Sequence, residues 1–307
     1  MPPFEVTIIG SSSATPVHNR MPTSQCIKYN NECFLFDCGE GTQITLRKLK
    51  ISFNKINNIF ISHLHGDHYF GLVGLLSSMH LMGRTSPITV YAPPQLKDII
   101  GGQFAASETI LSYEINFVDT NASGVNTLYE NKRISIKSFP VKHSIPTTGF
   151  IISEKIGRRR LKKNIVQSMQ IPISEIGNIK SGKDIVLNGK LIKNKDITLN
   201  PKAPRSYAYS ADTAYCEDII PVISNVNLLY HETTFAHELD DAAKSKLHST
   251  TVDAATIALK ANVKQLLIGH FSARYETEDL ESLLNEAKAV FENTILAVDG
   301  QTYVIEH

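Results

Sequence analysis

Cysteines and long apolar segments are scarce in this chain of 307 residues. The four cysteines, Cys26, Cys33, Cys38 and Cys216, form no Cys-x-x-Cys pair, so we expect buried free thiols and no zinc site built from thiolates. No window approaches the roughly 18 apolar residues of a membrane span. The N-terminus also lacks the basic start and apolar stretch of a secretion signal. These absences predict a cytoplasmic protein with no membrane partner.

An excess of charge of one sign is also absent overall, because the net charge is only +1. The charge is unevenly distributed, however: residues 155–195 contain eleven Lys or Arg against two acids, which leaves this stretch at +9 and the remainder at −8. Such a run is either a solvated loop or a contact for a polyanion. Five basic residues near its start favour the polyanion contact, namely Arg158, Arg159, Arg160, Lys162 and Lys163.

Segments with strand and helix patterns alternate on both sides of this basic stretch. The predicted strands cover 4–9, 26–29, 33–37, 57–61, 88–91, 113–118, 133–140, 148–152, 206–210, 227–230, 265–269, 294–298 and 302–305. The predicted helices cover 39–50, 67–79, 216–222, 250–260 and 279–291. Two α/β halves of this kind predict two sheets packed face to face, with helices outside and a functional site at the sheet edge.

A dense group of metal-binding side chains follows the predicted strand at 57–61. His63, His65, Asp67 and His68 lie within six positions, and a glycine among them allows a sharp turn. A helical zinc-protease motif would instead place its histidines four residues apart. Surface histidine clusters also occur by chance, but the chain has only 11 histidines. We therefore interpret this loop as the nucleus of a metal site.

Three further candidate ligands, His143, Asp212 and His270, each come just after a predicted strand. Two ions with four ligands each need about eight positions, or seven residues when one carboxylate bridges both ions. The loop and these three residues supply seven. Taken singly, each of the three could instead be a hydrogen-bonding or capping residue. Four further histidines have no such setting and are interpreted as ordinary residues: His18, His80, His237 and His307.

Five motifs occur in order along the chain: FDCGEGTQ at 36–43, HLHGDH at 63–68, HETTF at 231–235, HST at 248–250 and HFSARY at 270–275. Together they resemble the ribonuclease Z family of transfer-RNA 3′-processing endonucleases. The metal loop alone would indicate only the metallo-β-lactamase superfamily, and the last three motifs narrow the resemblance. It implies an αββα sandwich with two mixed sheets, a single domain over 1–307, and a flexible arm inserted at 155–195.

The resemblance also implies two zinc ions per subunit. The ligands it implies are His63, His65 and His143 for one ion, Asp67, His68 and His270 for the other, and Asp212 between them. Asp37 would orient a metal-bound histidine, as carboxylates behind metal ligands commonly do. Manganese or cobalt are possible substitutes, because imidazole and carboxylate ligands suit these ions as well.

The reaction implied is hydrolysis of precursor transfer RNA on the 3′ side of the discriminator nucleotide. A hydroxide activated by two metals would attack the phosphorus, with Asp67 orienting it. His248, steadied by Glu232, would protonate the leaving oxygen. From the residues alone, His248 could equally belong to a cap of the following helix. Arg274 would contact substrate.

The basic arm would grip the transfer RNA, typically the one bound to the partner in a homodimer. Contacts of this kind read RNA by shape and backbone, which suits an enzyme with many substrates. Two other functions stay open. One is a phosphodiesterase of the same fold that acts on small diesters or cyclic nucleotides, and the other is a metal-stabilised RNA-binding protein without turnover.

Overall fold

The computed structural model describes residues 2–17 and 19–307. Its strands alternate with helices along the chain and differ in length from two to seven residues. The strands are β1 (Phe4–Gly10), β2 (Ser24–Tyr29), β3 (Glu32–Phe36), β4 (Ile56–Phe60), β5 (Ile88–Ala92), β6 (Ile115–Asp119), β7 (Asn126–Glu130), β8 (Ile134–Pro140), β9 (Thr148–Glu154), β10 (Arg160–Leu161), β11 (Ile185–Leu187), β12 (Lys190–Ile192), β13 (Thr198–Leu199), β14 (Ser206–Ser210), β15 (Leu228–Glu232), β16 (Leu266–Gly269), β17 (Thr294–Leu296) and β18 (Thr302–Val304).

The helices are mostly short. They are α1 (Thr42–Lys48), α2 (Gly66–Tyr69), α3 (Leu72–Leu81), α4 (Gln95–Ala106), α5 (Lys163–Ser168), α6 (Ile176–Lys180), α7 (Asn194–Ile197), α8 (Ile220–Ile223), α9 (Asp240–Lys246), α10 (Thr251–Lys260) and α11 (Leu280–Val290). Single 3-10 turns cover Phe53–Lys55, Ile173–Glu175, Glu217–Ile219 and His237–Leu239. A capping box starts α10, because Thr250 and Asp253 satisfy each other's backbone N–H groups.

Two seven-stranded mixed sheets form the body of the protein. The first has the spatial order β18-β1-β2-β3-β4-β5-β6, and the second has the order β17-β16-β15-β14-β9-β8-β7. Aromatic side chains fill the space between them, and the rings of Phe36 and Phe150 lie 5.2 Å apart across the two sheets. The outer faces are apolar too, so each sheet also buries helices against its other side.

The αββα sandwich expected from the sequence is therefore confirmed. The expected helix at 67–79 is divided into α2 and α3, and at the break the Gly71 backbone N–H donates to the Cys38 carbonyl oxygen at 2.9 Å. Helices α4 and α9 and the edge strand β7 were not expected. Two glycines lower the helix propensity of α4, and its buried Leu96 and Ile100 hold it against the first sheet.

The insertion after β9 has a small hydrophobic core of its own. Five isoleucines fill it, namely Ile171, Ile179, Ile185, Ile192 and Ile197. Strand β10 pairs with β13, so the two ends of the folded part of the arm, Arg160 and Leu199, are neighbours. The flexibility of the arm stays a prediction.

A buried ion pair closes the sandwich at the root of the arm. The Arg205 guanidinium donates to Glu154 at 2.7 Å and to the carbonyl oxygens of Pro2 and Ile305 at 2.9 and 3.1 Å. Pro2 and Ile305 adjoin strands of the first sheet, whereas Glu154 and Arg205 adjoin β9 and β14 of the second. Because both ions are largely buried, this pair fixes the sheets to each other at this edge.

The expectation of buried free thiols is confirmed for Cys26, Cys33 and Cys38, whereas Cys216 is only partly buried. Within the described residues, none of the helices combines the length and the apolar character that crossing a bilayer requires.

Candidate metal and catalytic site

Strand ends of both sheets deliver the candidate ligands to one edge of the sandwich. The loop 61–68 follows β4 of the first sheet. In the second sheet, His143 follows β8, Asp212 follows β14 and His270 follows β16. Strands β14, β15 and β16 are parallel neighbours, so their carboxyl ends meet at the same edge.

The seven candidate ligands form two groups that share Asp212. One Asp212 oxygen, Oδ2, lies 3.7 Å from His63 Nε2 and 3.9 Å from His143 Nε2. In the same group, His65 Nδ1 lies 3.1 Å from the Nε2 atoms of both His63 and His143. The structure thus brings together the four residues that the sequence predicts for one ion.

The second Asp212 oxygen, Oδ1, faces the other group. It lies 3.3 Å from His68 Nε2 and 3.2 Å from His270 Nε2. Both of these nitrogens are 3.5 Å from Asp67 Oδ2. The two oxygens of one carboxylate therefore point to two different ligand sets, which is the arrangement a bridging ligand needs.

These groups fit divalent metal ions. Ligands of a tetrahedral zinc ion lie about 3.4 Å from one another when the bonds are 2.0–2.1 Å long. Within the described part of the chain, His68 Nε2, His270 Nε2 and Asp212 Oδ1 are buried and have no hydrogen-bond partner. Unsatisfied buried polar atoms are costly, and an ion at their centre would satisfy all three. The metal-binding role of the seven residues stays a prediction.

The second nitrogen of each buried imidazole is held by a fixed partner. His63 Nδ1 contacts Ser62 Oγ at 2.9 Å, and His143 Nδ1 donates to the Leu247 carbonyl oxygen at 2.9 Å. His270 Nδ1 contacts Thr234 Oγ1 at 2.9 Å. Such contacts fix the ring orientation and leave the other nitrogen available to a metal.

Asp37 holds His68 in the same manner. Its Oδ2 accepts from His68 Nδ1 at 2.7 Å and from the Ser62 and Tyr209 hydroxyls at 2.8 and 2.5 Å, while Oδ1 accepts from the Ser62 backbone N–H at 2.7 Å. Asp37 has a left-handed backbone (φ 55°), a conformation that aspartate tolerates better than most residues. The carboxylate is fully buried and lies behind the ligand rather than in the ligand set.

Burial and the surrounding charges separate the protonation behaviour of the two groups. Burial, reinforced by His68, lowers the pKa of His63 well below its usual value, so His63 is neutral and has a lone pair to donate. Burial also disfavours charge on His68, but Asp212, Asp67 and Asp37 outweigh it and raise the pKa of His68. The second group therefore attracts a cation.

Glu232 and His248 form a buried dyad next to the ligands. Glu232 Oε1 accepts from His248 Nδ1 at 2.8 Å and from the Thr213 backbone N–H at 2.9 Å, and Oε2 accepts from Thr234 Oγ1 at 2.7 Å. Burial opposes the charged imidazolium, but the Glu232 carboxylate outweighs it and raises the pKa of His248 to about 9. The imidazole of His248 is therefore protonated at neutral pH.

A cavity of about 270 Å³ opens onto the ligands and the dyad. On its wall, the Phe235 ring lies between two cations, with Lys246 Nζ at 5.8 Å and the Arg274 guanidinium at 5.1 Å from the ring centre. On the opposite side, the Ala14 backbone N–H donates to Asp67 Oδ2 at 2.7 Å. The rim is therefore positively charged and suits the phosphates of a nucleic acid.

Sequence reasoning found Arg274 but missed Ala14, Lys246, Thr234 and Leu247. Ala14 and Leu247 act through backbone groups, which leave no signal in residue type. Thr234 belongs to the HETTF motif, so its proximity to Glu232 could have indicated a supporting role. Lys246 precedes the HST motif by two residues and carries the one signal, charge, that could have found it.

The basic arm residues predicted to bind a polyanion differ in their surroundings. Arg158, Arg160 and Lys163 are exposed. Arg159 donates to Thr198 Oγ1 and Asn200 Oδ1, both at 2.8 Å, and Lys162 donates to the carbonyl oxygens of Lys195 and Asp196 at 3.3 and 3.0 Å. Through these hydrogen bonds, Arg159 and Lys162 also stabilise the arm.

Three histidines interpreted as ordinary lie outside both ligand groups. His80 Nδ1 contacts Ser112 Oγ at 2.9 Å, His237 is exposed, and His307 Nδ1 contacts the Ala203 carbonyl oxygen at 3.0 Å. The fourth, His18, lies outside the described residues.

Relatives and a solved structure match this chain over its whole length, and a family model matches its first half. Residues 4–159 match the family model described as anti-Pycsar protein Apyc1. Ribonuclease Z of Phocaeicola vulgatus is 42% identical over 307 residues, which cover 100% of this chain and 99% of that protein. Ribonuclease Z of Bacteroides thetaiotaomicron is 40% identical over 309 residues, with coverage of 100% and 97%. The crystal structure of human tRNase Z, short form, is similar with a TM-score of 0.71 and 26% identity, covering 99% of this chain and 100% of that one.

The support that Asp37 gives to His68 can be tested with Asp37→Asn. We expect zinc affinity, measured by competition with a chromogenic chelator, to fall about 10- to 100-fold, because the ring of His68 loses its orienting carboxylate. Asp119→Asn, an equal change at an exposed position on β6, should leave the affinity unchanged. Equal zinc affinity of both variants and the unmodified protein would contradict the orienting role.

Proposed function

Because the chain belongs to the ribonuclease Z family, with a first half that also falls in the Apyc1 family, we propose that it removes the 3′ trailer from precursor transfer RNA. Membership makes the protein a metal-dependent hydrolase that acts on RNA. We propose further that the cut lies directly 3′ of the discriminator nucleotide. Such a cut leaves a 3′-hydroxyl on the transfer RNA and a 5′-phosphate on the trailer. The observation that carries it is the double ligand set around Asp212 with the Glu232–His248 dyad beside it.

We propose zinc as the resident metal, with manganese or cobalt as possible substitutes. The seven residues that would hold two ions are His63, His65, Asp67, His68, His143, Asp212 and His270. When bound, such ions supply a water acidic enough to attack near neutral pH and neutralise negative charge on the phosphate.

Asp67 is proposed to orient the attacking water and accept its proton. Its Oδ2 faces the second ligand group and accepts from the Ala14 backbone N–H, which holds the carboxylate in one orientation. A carboxylate in this position adjoins both the ligand groups and the open cavity.

His248 is proposed to donate the proton that the departing ribose 3′-oxygen needs. Glu232 holds Nδ1, so Nε2 is the nitrogen that remains available to the cavity. Glu232 is itself fully buried and accepts two backbone N–H bonds, from Thr213 and Thr234, which hold it in place. Burial opposes its charge, but His248 outweighs burial and lowers the pKa of Glu232. Protonation of a poor leaving group contributes roughly 10²- to 10⁴-fold in rate.

We propose that the arm positions the RNA through the exposed side chains of Arg158, Arg160 and Lys163. Arg159 and Lys162, which also stabilise the arm, are proposed to contribute to the same contact. Arg274 is proposed to hold the acceptor end of the RNA. The arm leaves the body at the end of β9 and returns before β14. The metal ligand Asp212 follows the other end of β14, so the arm root is roughly 20 Å from the site along this strand. We propose a cytoplasmic homodimer in which each arm holds the RNA that the partner cuts.

The alternative is a phosphodiesterase of the same fold for small diesters or cyclic nucleotides, because the metal groups themselves do not select RNA. Replacing residues 160–199 by a short Gly-Ser linker separates the two functions, since Arg160 and Leu199 are paired neighbours and the arm has its own core. We expect cleavage of a 3′-extended transfer RNA to be lost and hydrolysis of bis(nitrophenyl) phosphate to be kept.

A matched control combines Arg158→Gln, Arg160→Gln and Lys163→Gln. This variant removes exposed positive charge and keeps the arm folded. We expect it to raise the KM for precursor transfer RNA and to weaken the salt dependence of binding, because fewer phosphates are neutralised. If the deletion variant cleaves precursor transfer RNA as well as the unmodified protein does, the arm has no role in substrate binding.

A protein that only binds RNA is distinguished by Asp67→Ala. We expect this variant to lose precursor cleavage while its RNA affinity in a filter-binding assay stays within about twofold, because Asp67 contributes chemistry and not the charge that attracts RNA. Asp98→Ala, an exposed change on α4, should affect neither measurement. Parallel loss of binding and cleavage would show that Asp67 holds the RNA site together instead.

The proton-donor role predicts a dependence on the leaving group. We expect His248→Ala to slow cleavage of the transfer-RNA precursor about a hundredfold or more and to slow release of nitrophenolate much less, because nitrophenolate leaves without protonation. Glu232→Gln should show the same pattern in weaker form, since the imidazole loses its charged partner. Equal slowing on both substrates would argue that His248 is needed for the shape of the site and not for protonation.

A further inference from the structure

We propose that a basic cavity at the root of the arm is a second ligand site, one that binds phosphate groups. The cavity has a volume of about 520 Å³ and lies where β9, the β7–β8 turn, the return of the arm and both chain ends meet. Six basic side chains line it against a single carboxylate, and these are Lys132, Arg133, Lys155, Arg158, Arg160 and Lys202.

The one carboxylate in the cavity is already neutralised. Glu154 accepts from the Arg205 guanidinium at 2.7 and 3.1 Å and from the Tyr29 hydroxyl at 3.0 Å. Lys155 is also paired, with Glu130 at 2.6 Å. These contacts use up the negative charge of the Glu154 and Glu130 side chains.

Four basic residues of the cavity have no carboxylate partner within the described part of the chain: Lys132, Arg133, Arg158 and Arg160. The first two belong to the body and the last two to the start of the arm. Concentrating like charges in one concave place disfavours the folded state unless an anion binds there. Two guanidinium groups from different segments can each hold a phosphate through two parallel N–H bonds.

The floor of the cavity is rigid enough to present these cations as a site. Arg205 is almost fully buried and ties Glu154 to the backbone of Pro2 and Ile305. Two prolines, Pro201 and Pro204, line the side where the arm returns and restrict the backbone there. The cations therefore surround a fixed space and do not belong to a flexible tail.

This cavity is distinct from the metal site. It adjoins the start of β14 and the end of β9, whereas Asp212 follows the end of β14 and His143 lies near the start of β9. The two cavities share no lining residue. A phosphate bound at the root therefore leaves the metal ligands accessible.

The phosphate groups could belong to the RNA backbone or to a free phosphate-bearing molecule. The shared chemistry is a multiply charged oxyanion held by guanidinium and ammonium groups. Binding of inorganic phosphate tests this chemistry without RNA, so the outcome does not depend on the proposed transfer-RNA substrate.

The test is a calorimetric titration of the zinc-loaded protein with inorganic phosphate at low salt. The Lys132→Gln, Arg133→Gln double variant should lose one phosphate-binding event or weaken it at least about tenfold, because it loses charge-assisted hydrogen bonds to the oxyanion. The matched control Lys97→Gln, Arg47→Gln removes the same charge at exposed positions away from the cavity and should bind as the unmodified protein does. Identical isotherms for the double variant and the unmodified protein would overturn the site.

The source of the phosphate is distinguished by cleavage kinetics on a 3′-extended transfer RNA. A KM raised severalfold by the double variant, with kcat unchanged, would identify the RNA backbone as the occupant. An unchanged KM together with lost phosphate binding would identify a free phosphate-bearing ligand. Because Lys132 and Arg133 are exposed side chains, equal melting temperatures in phosphate-free buffer check that the variant is folded.

Discussion

The site depends on one buried carboxylate whose two oxygens face two different ligand groups. Asp212 is 3% exposed, and its environment of imidazoles lowers its pKa well below the usual value, although burial alone would raise it. Such a concentration of buried donor atoms is costly without a cation at its centre. The sandwich brings these donor atoms together because strand ends of both sheets converge at this edge. Asp37 and Thr234 orient the imidazoles of His68 and His270 through hydrogen bonds to their Nδ1 atoms. A bound metal ion would make this arrangement of buried groups favourable.

The candidate catalytic groups and the basic arm lie at opposite ends of strands in the second sheet. The metal groups and the Glu232–His248 dyad occupy one end of the second sheet, and the arm with its basic cavity occupies the other. The arm has a net charge of +9 and the remainder of the chain −8, so the arm would offer RNA a positive surface away from the acidic body. The buried Arg205–Glu154 pair is the structural link at the arm end, because it joins both sheets where the arm begins.

The sequence predicted the sandwich and the seven side chains that lie together at its edge, because strand periodicity and residue type carry that information. His143, Asp212 and His270 could be placed near the loop, since each follows a strand and strand ends meet at one edge. Backbone groups could not be predicted: the Ala14 N–H and the Leu247 carbonyl depend on loop conformations that residue type does not encode. Helix α4 was missed for a related reason, because packing overrides the low helix propensity of its glycines. The arm's isoleucine core and the root cavity also require three-dimensional proximity that no motif reports.

Under the proposed function, water activated at this double site cuts precursor transfer RNA at a single position. The most direct measurement is to incubate the purified protein with a 3′-extended transfer RNA, with and without a chelator, and to map both new ends to the nucleotide. We predict one cut directly after the discriminator base, with a 3′-hydroxyl on the transfer RNA and a 5′-phosphate on the trailer. Chelator should abolish the cut and added zinc should restore it. A cyclic phosphate at the new 3′ end, a cut at another position, or cleavage that persists in chelator would contradict the account.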